Sequence, residues 1–311
     1  MDNINALSYN KAFFEGKYLA HPQCPIGVRD LWLEEAMFTS KYVVAVMDCH
    51  ADKMIPWLAE QVHLLCFVED NPDKIDLFKH SLVEYYQQEG YKLKNISFLH
   101  ANSLATQIDS DVIDFVVLGQ NWMQQKDKKS LQKELQNILR LNSYVTLCLH
   151  HIKLDSTPFA QAYAQLLKQY QVEDDYQHLP NSQTLNEFFN HQYAVNAFAN
   201  QLRFSAETWE LYIKSSYYYQ ALSDSRRSLF LRACKILFAQ YCTSAEGLYI
   251  DFETNVYIGI FNKYTPAISL RKNIFFHLLR PFAFLFYILL KSNVYFWKII
   301  YRLTHWKKHK D

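Results

Sequence analysis

LLCFVEDNPDKIDLF, residues 64–78, is a strand, a turn and the start of a helix written consecutively. Leu64–Val68 is a short apolar run. It ends in the acids Glu69 and Asp70, and Asn71 and Pro72 break it. From Ile75 to Gln88 the spacing turns helical, with Ile75, Phe78, Leu82 and Tyr85 or Tyr86 on one face. The same alternation extends in both directions. Upstream, Tyr42–Met47 (YVVAVM) is β-rich and Lys53–Gln61 is helical in character. Downstream come the runs Ile96–Leu99 (ISFL), Ile113–Leu118 (IDFVVL) and Tyr144–Leu149 (YVTLCL). Between the last two, Lys129–Leu141 predicts an amphipathic helix with Leu131, Leu135, Ile138 and Leu139 on one side.

Nearly continuous apolar strands alternating with helices imply a parallel sheet covered on both faces. Ligands of such sheets bind beyond the carboxyl ends of the strands. The residues to read are therefore Asp48–Asp52, Glu69–Asn71, His100–Ser103, Gly119–Gln124 and His150–His151. Past the fifth run, residues 152–204 read as a long polar excursion. Ala206–Ile213 and Ser225–Tyr241 follow as helices, and Gly247–Phe261 as an alternating, aromatic-rich strand.

Half of the 311 residues are hydrophobic, which excludes wholesale disorder. Glycine is scarce: six residues, where average usage would give roughly twenty. The cysteines Cys24, Cys49, Cys66, Cys148, Cys234 and Cys242 show no CxxC spacing and read as small buried hydrophobes in a reducing compartment. The start, MDNINALSYNKAFFEGK, lacks the features of a signal peptide, so the expected location is cytoplasmic.

In order, these elements resemble a class I S-adenosylmethionine-dependent methyltransferase of the type 11 group, over roughly residues 10–262. CFVEDNPDKIDLF (66–78) matches the second strand and its Asn-Pro turn. FLHANSL (98–104) matches the turn after the third strand, and IDFVVLGQNWM (113–123) the fourth strand with its Gly-Gln and aromatic. LYIKSSYYYQAL (211–222) matches a late Ser-Ser-Tyr segment. The resemblance implies a Rossmann-like, mostly parallel seven-stranded sheet with helices on both faces, spanning residues 1–264. It implies S-adenosylmethionine as cofactor. Glu69 falls where the family's ribose carboxylate lies, and Asn102 where an Asp faces the adenine amino group. Met47, Asp48, Asp70, Ser103 and Gln120 complete the implied cofactor set. Trp122, His150 and Tyr217 are the expected substrate pocket. No catalytic residue is assigned, because methyl transfer from a sulfonium needs mainly alignment.

The first turn departs from the family. Where members carry Asp-Val-Gly-x-Gly-x-Gly, this chain reads AVMDCHA, residues 45–51. Ala45 replaces the acid, and Met47 stands at the first glycine, where its side chain is expected to point along the cofactor's path. Asp48 reads either as a substitute for the lost acid or as an exposed turn residue. His50, His100, His150 and His151 share the presumed ligand rim; they read either as a metal or general-base group or as separate wet-rim histidines, with no metal assigned. Two functions stay open: a methyltransferase, and an inactive scaffold of the same fold.

Residues 254–311 carry ten Lys or Arg and one acid, Asp311, a charge of +9. Residues 1–253 carry 22 basic and 30 acidic groups, a charge of −8. The tail, residues 265–311, is basic and apolar. Its longest uncharged run, Pro281–Leu290, is ten residues, against about twenty for a spanning helix. Arg280, Lys291, Lys298 and Arg302 recur at intervals that suit an amphipathic helix lying in a membrane interface, with Phe284 and Trp297 among its apolar contacts; helices docked on the domain or on a protein partner are the alternative. The expected partners are an anionic inner-face membrane surface and a small-molecule, lipid or glycan acceptor. No nucleic acid is expected, given the acidic body and the greasiness of the tail.

Overall fold

The fold comes from a computed structural model. The structure describes residues 24–36, 38–47, 54–88, 95–172, 179–244 and 246–261. Asp48, His50, the side chain of Tyr217 and the membrane-contact residues Arg280, Phe284, Lys291, Trp297, Lys298 and Arg302 lie outside what it describes.

The chain opens with helix α1 (Ile26–Glu35) and strand β1 (Val43–Met47). Helix α2 (Met54–Gln61), strand β2 (Leu64–Glu69), helix α3 (Pro72–Gln88) and strand β3 (Ile96–His100) build one side of the sheet. The chain then crosses to β4 (Ile113–Leu118), a 3-10 turn (Gln120–Gln124), α4 (Lys128–Ile138) and β5 (Leu139–Ile152). Helices α5 (Pro158–Gln169) and α6 (Ser182–Phe189) precede β6 (Tyr193–Phe204). Helices α7 (Ala206–Ser215), α8 (Tyr217–Ala221) and α9 (Asp224–Tyr241) lead to β7 (Leu248–Ile260).

The seven strands lie in the order β3-β2-β1-β4-β5-β7-β6. β1 to β5 pair in parallel. β7 runs antiparallel between β5 and β6. The order reverses between β1 and β4, so the crevice of the sheet opens beyond their carboxyl ends.

The apolar strands predict burial on both faces, and β1 is buried at all five residues. Val43, Ala45 and Met47 join Leu131, Leu135 and Ile138 of α4 and Phe188 and Phe189 of α6 on one face. Val44 and Val46 join Trp32 of α1, Leu58 of α2 and Phe78 and Leu82 of α3 on the other. A third cluster lies where β5, β6 and β7 extend past the parallel core. There α5, α7 and α9 pack Tyr163, Trp209, Phe230 and Phe238 against Phe204, Ile250 and Phe252.

Two sequence expectations need correction. The helix expected to reach Leu141 ends at Ile138, and Leu139 opens β5 opposite Ile113. Leu139 fits the helical spacing, yet it is buried from an extended backbone; tertiary context overrides the local pattern. The polar excursion also contains a strand. YAVNAFANQLRF forms the edge strand β6, whose residues are mostly exposed or half-buried. Its Asn and Gln are poor strand formers, and pairing with a single neighbour, β7, holds them in place.

Two glycines answer to close approach. Gly247 has φ +96°, open to glycine at no steric cost. A Cβ on Gly259 would stand 2.2 Å from the Gln192 carbonyl oxygen.

Candidate functional site

The carboxyl ends of β1, β2, β3, β4 and β5 bring most of the expected site residues to one rim. Glu69 ends β2 opposite His100 of β3. The Ala101 N–H donates to the Glu69 carbonyl (3.2 Å), and His100 Nε2 donates to the Asp70 carbonyl (3.0 Å). Asn71 caps α3: its Oδ1 accepts from the Asp73 N–H at 2.9 Å. This explains the sharpness of the turn, since Pro72 suits the first helical position and Asn the cap.

Glu69 is 8% exposed. Its Oε1 accepts the Asn71 N–H and Lys74 Nζ, both at 3.1 Å. Burial pushes its carboxyl above the ordinary range, and the Lys74 ammonium opposes that rise. Lys74 had no place in the expected site. Its signal is the spacing from the acid, which places it on the first turn of α3, above the end of β2.

Asn102 and Ser103 follow β3 in a tight turn closed by the Asn102–Ala105 bridge. Asn102 Oδ1 accepts from the Leu104 N–H at 2.8 Å, while Ser103 is buried. Asp70 and Asn102 are exposed. Beyond β4, the Gly119 N–H donates to the Met47 carbonyl (3.2 Å), which ties the ends of the two strands flanking the crevice.

Gln120 and His150 meet. The His150 N–H donates to Gln120 Oε1 at 3.0 Å. His150 Nδ1 lies 2.9 Å from Oγ1 of the buried Thr254, and Nε2 lies 3.8 Å from Cys24 Sγ. Neither Cys24 nor Thr254 stood out in the sequence: the first reads as a small hydrophobe, the second as one polar residue in an aromatic strand. On the opposite face of the strands, His151 Nε2 approaches Glu253 Oε1 at 3.7 Å. Burial holds its imidazole below the ordinary range, against the pull of Glu253.

Met47 and Trp122 take other places than expected. The Met47 side chain is fully buried in the core cluster with Ala45, Val68 and Leu118, so it turns into the core and not along the path expected of it. Trp122 is fully buried in the same cluster, with Phe188 edge-on at 5.2 Å and Lys128 Nζ 4.5 Å over its ring. It is a core residue between the 3-10 turn and α6. An aromatic beside a strand end carries the same sequence signal in either role.

The strand order, the lone antiparallel β7 and a buried acid ending β2 decide the architecture. The chain has the class I methyltransferase fold. A candidate type II methyltransferase from Anaeromyxobacter dehalogenans superposes on this methyltransferase fold with a TM-score of 0.52. It is 14% identical, with 78% of this chain and 99% of that chain covered. A candidate methyltransferase from Bacillus halodurans matches at a TM-score of 0.49 and 8% identity, covering 75% of this chain and 98% of its own. Geranyl diphosphate C-methyltransferase from Streptomyces coelicolor matches at 0.41 and 10% identity, covering 75% and 78%. No protein-family model and no curated protein matches the sequence. Among the described residues, no helix is long and apolar enough to cross a membrane.

Proposed function

We propose that the protein is an S-adenosylmethionine-dependent methyltransferase working at a membrane surface on a small-molecule, lipid or glycan-precursor acceptor. The observation that carries this reading is the buried carboxylate of Glu69, at the end of β2, beside the crevice of a class I methyltransferase sheet. A carboxylate offers about four acceptor sites. The Asn71 amide and Lys74 both bind Oε1, and the remaining acceptor capacity of the carboxylate suits a ribose hydroxyl. Asn102 presents an amide to the adenine edge, and Asp70, Ser103 and Gln120 line the same rim.

The cofactor, when bound, supplies an electrophilic methyl on a sulfonium. The chain's own work is alignment and exclusion of water. The Lys74 ammonium offsets part of what burial costs the Glu69 carboxylate. Gln120 and Thr254 fix the backbone and ring of His150 at the edge of the proposed acceptor pocket.

One observation favours a second reading, an inactive scaffold recruited to a membrane assembly. The turn after β1 contains no glycine, and such turns let a backbone approach a ligand closely. Calorimetric titration with S-adenosylmethionine and its demethylated product separates the two. The enzyme reading expects micromolar binding that Glu69→Ala abolishes. Absence of heat with a folded protein would leave the scaffold.

A further inference from the structure

Cys24 stands two residues before α1, on the face of the sheet that α1 covers. His150 occupies the carboxyl end of β5, and Thr254 lies directly opposite it on β7. Thr254 is fully buried, with Oγ1 2.9 Å from His150 Nδ1. The His150 main chain is fixed separately, by the bond from its N–H to Gln120 Oε1. In the tautomer that gives its Nδ1–H to the Thr254 hydroxyl, the imidazole presents its Nε2 lone pair to the other side. Cys24 Sγ stands there, at 3.8 Å. This is the arrangement of an activated nucleophile: thiol, base, and a third group orienting the base. The amino end of α1 adds a positive potential that favours a thiolate.

We propose that Cys24, His150 and Thr254 form a nucleophilic thiol site that takes an electrophilic carbon. The Cys24 thiol proton passes to His150 Nε2. The Sγ lone pair forms a bond to the carbon, and the leaving group departs with the electron pair of the bond it breaks. The imidazolium then releases the proton to that group or to water. The site does not depend on cofactor binding.

The other four described cysteines are controls within the same chain. Cys66, Cys148 and Cys234 are buried, and burial pushes the Cys66 and Cys234 thiols up. Cys242 is half-buried, and its thiol donates to the Ser244 carbonyl. None of these four has the Cys24 combination of a half-buried thiol beside a fixed imidazole.

The test is alkylation of the full native chain with limiting iodoacetamide at pH 7. Each cysteine is followed by peptide mass spectrometry, with glutathione as the reference thiol in the same tube. Cys24 is expected to react about tenfold faster than glutathione. His150→Gln should return Cys24 to the reference rate, and Thr254→Val should lower the rate part of the way. Reaction of wild-type Cys24 at or below the reference rate overturns the site. So does a fast rate that survives His150→Gln. If His150→Gln does not fold, as judged by its thermal melt, Thr254→Val decides: a slowed Cys24 supports the site and an unchanged one overturns it.

Discussion

At the scale of single residues, Glu69 places a carboxyl where burial penalises charge. Its carboxyl is buried, and Lys74 alone among the described cations lies within 3.1 Å of it. Because burial wins and the folded carboxyl titrates above its ordinary 4.5, the native state holds a proton that the unfolded chain has already lost. Stability therefore falls as pH rises through the interval above 4.5. Glu69→Gln removes this dependence while keeping an acceptor for the Asn71 amide. At pH 7 the variant is expected to be at least as stable as the wild type, by less than about 1 kcal/mol, and the gain should vanish as pH falls to 4.5. Denaturant melts across that range check it. A wild type clearly more stable than the variant at pH 7 would mean that the Lys74 pair outweighs the burial. His151 runs with the opposite sign. Its folded pKa lies below the ordinary 6.5, so its neutral form stabilises the fold above that value. This contribution is lost as pH falls below 6.5, and His151→Asn should flatten the acid limb of the stability curve.

At the scale of elements, the third cluster rests on Trp209. It is fully buried against Phe159, Tyr163, Phe204 and Phe238, and its Nε1 donates to the Cys234 carbonyl at 3.3 Å. Trp209→Ala is expected to cost about 3–5 kcal/mol, measured by urea unfolding. Gly259→Ala should cost about 1–3 kcal/mol, because a main-chain oxygen has to move to admit the methyl group. A neutral result would show that β6 shifts freely along β7. The strands β1 to β5 and β7 were legible because apolar runs bounded by acids, Asn-Pro or glycine have few other readings. β6 was not, because an edge strand exposes its polar residues and so looks like a loop. At the rim, Glu69, Gln120 and His150 were legible from their places after strands. Lys74, Cys24 and Thr254 were not, since each acquires its part only through a partner distant in sequence or one turn away. Met47 misled because a residue that ends a strand can face either the crevice or the core, and period alone does not say which.

At the scale of the whole chain, charge separates along the sequence, −8 up to residue 253 and +9 after it. An anionic membrane repels the first part and attracts the second, so attachment through the tail has to overcome the body's own charge. The Debye length at 0.1 M salt is about 10 Å, which confines both effects to groups near the lipid and lets the tail dominate wherever it touches. Each basic residue at the surface contributes about 1 kcal/mol. Replacing Lys307, Lys308 and Lys310 together by Gln should then weaken binding to vesicles of mixed neutral and anionic lipid by roughly a hundredfold. Cosedimentation of the full chain measures it. The wild type is expected to pellet with anionic vesicles, to pellet less as salt rises, and to bind neutral vesicles only through the apolar contacts of the tail. Equal pelleting with neutral and anionic vesicles would remove the electrostatic part of the proposal. Failure to pellet with either would remove the membrane from it, leaving the aromatic, basic tail to be explained by a protein contact.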